Sequence, residues 1–176
     1  RDATLAYWEE VLAQRPAEAG TLLWEISASA ALPSCWGDVA WVLPQVNLFS
    51  INLTEGRSLT ELDAPDAIAD RLLDAGVNVV ALRLGARGAL VTDGQARWHI
   101  PVCPANVVDV TGAGNAFCGG FLVGYCESGG DLCTAGVYGS VASSFVIEQY
   151  GQPPDLTTLR ASARKRASAL QPVLQG

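Results

Sequence analysis

The chain reads as a three-layer α/β fold: a Rossmann-like, mostly parallel sheet with helices on both faces. Three observations predict it. Short apolar runs of strand length alternate with longer segments of helical periodicity. The strand at 77–84, Val-Asn-Val-Val-Ala-Leu-Arg-Leu, is apolar almost throughout, as suits a sheet covered on both faces. Polar residues and glycines follow the strands, at the edge where open α/β sheets bind ligands.

The elements follow in order. Leu5, Trp8 and Leu12 recur at helical spacing and predict a helix over 5–13. Residues 16–20 form a linker, and 21–26 a buried strand. A short helix over 35–43 is anchored by Trp36, Val39 and Val42 or Leu43. A second strand covers 46–51. The helix at 64–75 has Asp63 as its expected N-cap and Gly76 as its stop. After the strand at 77–84 come shorter ones at 88–92 and 97–102, joined by a turn at Asp93-Gly94. Helices over 112–127, 132–149 and 156–170 complete the chain, with Asp131 and Asp155 placed to cap the last two. The helix at 132–149 carries Ala135, Gly136, Gly139, Ser140, Ala142, Ser143 and Ser144, which permit close packing against a neighbour.

Composition narrows the function. A length of 176 residues, 49% hydrophobic and 16% charged, suits one domain over 1–176 with a sizeable core. Mean hydropathy is +0.23, yet no apolar run approaches the ~18 residues needed to span a bilayer. The net charge of −7 argues against a nucleic-acid or anionic-membrane partner. It leaves a nucleotide open, because backbone dipoles and a metal can hold phosphates without a basic patch. Cys35, Cys103, Cys118, Cys126 and Cys133 are odd in number and lack C-x-x-C spacing, so neither a disulfide framework nor a zinc site is expected. Cys118 and Cys126 lie in a predicted helix and read as buried free thiols. A reducing, cytoplasmic setting follows. Arg1 opens the chain without Met or a signal-like segment, and we read the chain as a fragment of something longer or a processed product.

Some residues have a bland reading. His99 is the only histidine, sits in a strand and has no second metal-ligand type nearby, so it is structural. The tryptophans pack in the core or at its edge. Arg160, Arg164, Lys165 and Arg166 form a solvated face toward the end of the last helix.

The strongest signal is Val107-Val108-Asp109-Val110-Thr111-Gly112-Ala113-Gly114-Asn115-Ala116-Phe117. An acid and a hydroxyl precede two glycines and a helix of small and apolar residues. Glycines let backbone N–H groups approach an anion, and the helix N-terminus adds partial positive charge. The bland alternative is a glycine-rich loop with Thr111 capping the helix. Two weaker motifs lie upstream. Asn52-Leu53-Thr54-Glu55 follows a strand; its amide and carboxylate can organise a hydrated hard cation, or Thr54 can cap a helix. Gly85-Ala86-Arg87-Gly88 makes a tight turn between strands.

Together these segments resemble the pfkB (ribokinase-like) carbohydrate kinases over roughly residues 22–151, their nucleotide-binding C-terminal half. The resemblance implies a ribokinase-like fold lacking the N-terminal half. It implies ATP, Mg2+ and a monovalent cation, K+, as cofactors, and a small sugar or nucleoside as substrate. Gly112, Ala113 and Gly114 would form the anion hole. Asp109 and Thr111 would border the monovalent cation, with carbonyls from 146–151 completing its loop. Asn52 and Glu55 would organise magnesium and phosphate, and Gly85 and Gly88 would lie against the nucleotide. Asn115 departs from the pattern, because the family places there the Asp that takes the substrate proton. An amide cannot accept a proton at neutral pH, and a positioned base contributes ~10²–10⁴-fold. Three readings follow: a degenerate kinase that binds nucleotide, an active kinase with another base, and a scaffold or regulatory pseudokinase.

Overall fold

The computed structural model describes residues 3–16, 18–153, 155 and 157–175. Of Leu5 only the backbone is described, and the expected helix start at Leu156 lies outside the described residues. Six strands form one sheet in sequence order: β1 (Leu23–Glu25), β2 (Leu48–Asn52), β3 (Val79–Arg83), β4 (Ala89–Thr92), β5 (Arg97–Ile100) and β6 (Val173–Gln175). The sheet is mixed. Pairing is parallel from β1 to β3 and antiparallel from β3 to β6. The expectation of a mostly parallel sheet holds for the first half only. The tight turns at 85–88 and 93–96 return the chain as hairpins, which leave no room for a crossover helix.

Strand alternation assigns the two faces. Phe49, Ile51, Val80, Leu82 and Leu90 point to one side. There they pack on α2 (Trp36–Val42), α3 (Leu53–Thr60) and α4 (Pro65–Asp74) through Val39, Val42, Leu59, Ile68 and Leu72. Leu48, Val79, Ala81, Ala89 and Val91 point to the other, against Phe117, Phe121, Leu132 and Ala135 of α5 (Ala113–Glu127) and α6 (Leu132–Val146). The period of two follows from the pleat. Leu23 belongs to the α5 side and Trp24 to the other. At the carboxyl end of the sheet, Glu25, Ser50, Asn52 and Arg83 therefore face α5. The chain begins with α1 (Ala3–Ala13), whose Trp8 stacks edge-on against Trp24. It ends with α7 (Arg160–Ala169) and β6.

Several expectations are corrected. The strand expected at 21–26 pairs only over Leu23–Glu25. Asp63 does not cap α4; the cap position is Ala64, and Pro65 supplies the helical φ at the first turn. α3 is a helix not assigned from sequence beyond its start, and Asn52 rather than Thr54 caps it. β6 was also unforeseen. Asp131 caps α6 by accepting from the Thr134 amide at 2.7 Å. Asp155 accepts instead from Thr157, ahead of a short 3-10 turn, while α7 starts later without a side-chain cap. Cys126 is exposed, whereas Cys118 is buried as expected. Arg166 leaves the solvated face: it bonds Ser144 Oγ and Glu148 Oε2, both at 2.7 Å, and lies over the Phe145 ring.

The small residues of α6 meet α5 directly. A Cβ at Gly120 of α5 would stand 2.5 Å from the Tyr138 carbonyl, and one at Gly139 would stand 2.9 Å from the Phe117 ring. Ser143 Oγ donates to the Ala113 carbonyl at 2.8 Å.

Candidate active site

A cavity of about 770 Å³ opens at the carboxyl end of the sheet, between the 85–88 turn, the 101–110 loop and the α5–α6 pair. Its floor holds Asn52, Arg83 and Gly114, and one wall is Ser140, Ser143 and Ser144. The opposite lip is apolar, with exposed Val102, Val107 and Val110. The sequence motifs converge here from β2, β3 and the start of α5.

Gly112 adopts φ +83, a left-handed conformation, and is the cap position of α5 without any side-chain cap. Thr111 therefore does not cap the helix. Among the described residues, the Gly114 and Asn115 amides have no protein acceptor; the Ala113 and Ala116 amides donate to the carbonyls of Val110 and Gly112. Two free N–H groups at a helix N-terminus, on a cavity floor, have the chemistry to receive an anion. Asn115 itself is exposed.

Arg83 lies under this first turn. A Cβ built on Gly114 would overlap its Nη1 and come 3.0 Å from Glu25 Oε1. Arg83 Nη1 pairs with Glu25 Oε1 at 2.5 Å, and Nη2 stands 3.9 Å from Glu55 Oε2. The Arg83 side chain is only 13% exposed, and its Nε is buried without a hydrogen-bond partner. Cys118 also approaches this pair and Ser50; burial above all pushes its thiol up to about 11. Neither Glu25 nor Arg83 was singled out from sequence. The signal was present, since each is a charge at the end of an apolar strand, where a soluble surface alone does not require it.

Asn52 and Glu55 form a capping box. Asn52 Oδ1 accepts from the Glu55 amide at 2.9 Å, and Glu55 Oε2 accepts from the Asn52 amide at 3.1 Å. The hydrogen bond and the ion pair of the Glu55 carboxylate fall on Oε2. No group of three or more His, Cys, Asp or Glu side chains among the described residues is placed to enclose a metal. Asp109 Oδ1 accepts from the Thr111 amide at 3.0 Å and its hydroxyl at 2.9 Å. The amide bond and then the hydroxyl bond hold this carboxyl below the usual range. The Val108 and Asp109 amides both donate to the Ile147 carbonyl, which ties this loop to the end of α6 and occupies one carbonyl of the 146–151 segment.

Gly85 and Gly88 have φ +63 and +89. A Cβ at Gly88 would overlap the Ile100 carbonyl, so this glycine is required by close approach as well as by conformation. His99 Nε2 bonds the Arg87 carbonyl at 2.8 Å, a structural role in the same turn. A hollow of about 380 Å³ beside α1 is lined by Val11, Leu12 and Arg15 and has no carboxylate.

Comparison with known proteins places this fold. The chain matches the model of the pfkB family of carbohydrate kinases over residues 8–159 and belongs to that family. An uncharacterized sugar kinase of Archaeoglobus fulgidus is 35% identical over 115 residues, covering 65% of this chain and 45% of that protein. The adenosine kinase of Sinorhizobium meliloti superposes with a TM-score of 0.76 at 26% identity, covering 90% of this chain and 49% of that one. An E. coli protein termed Ribokinase II, solved with ATP and Mg2+, superposes with a TM-score of 0.66 at 23% identity, over 85% of this chain and 48% of its own. The ribokinase-like α/β fold is thus established, and the chain spans about half the length of these relatives. No helix among the described residues is long and apolar enough to cross a membrane.

Proposed function

We propose that residues 1–176 form one α/β domain, the nucleotide-binding half of an ATP-dependent phosphotransferase. Its acceptor is a hydroxyl on a sugar or nucleoside. The observation that carries this reading is the pair of unbonded amides at Gly114 and Asn115, set beside Arg83 on the floor of a nucleotide-sized cavity. The apolar lip takes the base. The turn at Gly85 and Gly88 lies along the phosphates. The amides of Gly114 and Asn115, with the guanidinium of Arg83, receive the transferring phosphoryl group. Preorganised donors of this kind supply most of the catalysis in phosphoryl transfer.

Glu55 Oε1 and Asn52 fit a magnesium ion held partly through water, which would neutralise phosphate charge. The Asp109–Thr111 loop is the place for a monovalent cation such as K+. In the chemical step the acceptor oxygen bonds to the γ-phosphorus while the bond to the ADP oxygen breaks, and the hydroxyl proton leaves. Asn115 can orient that hydroxyl through its carbonyl oxygen but cannot keep the proton. That same observation supports a second reading, a protein that binds nucleotide without turnover.

Calorimetry on the full-length protein tests the first claim. Mg-ADP should bind, and Gly114→Val, whose branched side chain would displace Arg83 from beneath the Gly114 and Asn115 amides, should abolish binding. Unchanged affinity in that variant would remove the anion site from this position.

A further inference from the structure

We propose that Glu25 is the proton acceptor of this phosphotransferase, supplying the base that Asn115 lacks. The inference rests on the phosphotransferase reading above. Three carboxylates surround the start of α5. Asp109 is committed to both donors of Thr111. Glu55 is committed to the capping box through Oε2. Glu25 pairs with Arg83 and meets the Cys118 thiol, its side chain is 26% exposed, and its Oε1 is the carboxylate oxygen against Gly114.

Its flank is the decisive feature. The cavity runs from Asn52 at the end of β2 past Gly85, Gly88 and Ile100 to Ser143 of α6, most of its lining lies on the β3–β5 and α6 side of Gly114, and Glu25 does not line it. Glu25 ends β1, on the other flank of the same helical turn. A nucleotide in the cavity points its leaving oxygen toward the β3–β5 side. In-line displacement requires the entering hydroxyl on the opposite side of the phosphorus, which is the flank of Glu25. The acceptor oxygen forms the new P–O bond, the bond to ADP breaks with its electron pair on the ADP oxygen, and the acceptor proton passes to a Glu25 oxygen. In a loose transition state this proton moves late, so the step asks little of its acceptor. Once Glu25 is protonated, Arg83 loses its counter-charge, and its guanidinium, which already lines the cavity, is free to pair with the phosphate product.

The test uses the full-length protein, Mg-ATP and water as the acceptor, with phosphate release as the readout and Mg-ADP calorimetry alongside. Glu25→Gln should lower release by ~10²-fold or more, with Mg-ADP affinity held within about three-fold. Glu25→Gln combined with Asn115→Asp should recover release, because the acid returns at the neighbouring position. A merely structural role for Glu25 predicts lost affinity and no recovery. Should Glu25→Gln not fold, Glu25→Asp withdraws the acid by about 1.5 Å, one carbon–carbon bond, and should lower the turnover number about ten-fold or more at unchanged Mg-ADP affinity. Wild-type release in either variant overturns the proposal. So does a wild type that binds Mg-ADP but releases no phosphate. A wild type that fails to bind Mg-ADP brings down the phosphotransferase reading itself, and this proposal with it.

Discussion

Gly114 and Gly119 lie five residues apart on α5 and offer a matched test of the anion site. Adding a methyl group at Gly119 meets nothing within 4 Å. Ala is the better helix former by about 0.8–1 kcal/mol, so Gly119→Ala should be neutral or stabilising. At Gly114 the same methyl would overlap Arg83 Nη1 and press on Glu25 Oε1 at 3.0 Å. Either α5 lifts or the ion pair opens. Overpacking of this kind costs about 1–3 kcal/mol, which exceeds the propensity gain, so Gly114→Ala should be net destabilising by up to ~2 kcal/mol. The functional loss is separate. Displacing Arg83 removes a charged donor worth about 1.5–3 kcal/mol, so Mg-ADP affinity should fall about ten- to a hundred-fold. Urea unfolding and calorimetry of both variants in the full-length protein measure the two effects. If Gly114→Ala matches Gly119→Ala in stability and keeps wild-type affinity, the Glu25–Arg83 pair does not lie under the phosphate site.

Asn52→Ala should cost about 0.5–2 kcal/mol by removing the cap of α3, while Thr54→Ala should stay within about 0.5 kcal/mol; urea unfolding of both separates the two capping assignments. Glu55→Gln should weaken Mg-ATP more than metal-free ATP, and equal losses by calorimetry would leave Glu55 a capping residue only. Cys118 should resist alkylation in the folded protein at neutral pH while exposed Cys126 reacts, as peptide mapping can show. With its thiol raised from 9.0 to about 11, the unfolded chain loses that proton first. Folding stability should therefore decline as pH rises from about 9 to 11, and Cys118→Ala should remove that part of the decline.

Much of the site was legible because its chemistry is backbone chemistry. Gly112, Gly114, Gly85 and Gly88 are informative in sequence since few residue types can replace them where φ is positive or another chain segment comes close. Asn52 and Glu55 were also found, though spacing alone could not separate a cation site from a cap, and the structure shows that the capping box forms. Glu25 and Arg83 were not found. Their meaning depends on two strands, separated by β2, ending under the same helical turn, and no local pattern encodes that. The sheet was misjudged for a similar reason. Buried strands look alike whether their neighbours run parallel or antiparallel, and only the shortness of the 85–88 and 93–96 turns betrays the hairpins. Arg166 was assigned to solvent by its neighbours in sequence, while the residues that hold it, Phe145 on α6 and Glu148 just past that helix's end, are distant in sequence.

The direct contact of α5 with α6 has a mechanical consequence. With glycine at Gly120, Gly124, Gly136 and Gly139, little side-chain volume cushions the two helices from each other or from the sheet. Such an interface resists sliding, because backbone atoms cannot change rotamer. The unbonded Gly114 and Asn115 amides ride on one helix, and the serines along the cavity wall ride on the other, bolted by Ser143 to Ala113. The phosphate end and one wall of a bound nucleotide would therefore rest on a single stiff part. Adjustment to different ligands would fall to the side chains of the 101–110 loop across the cavity, whose valines are exposed.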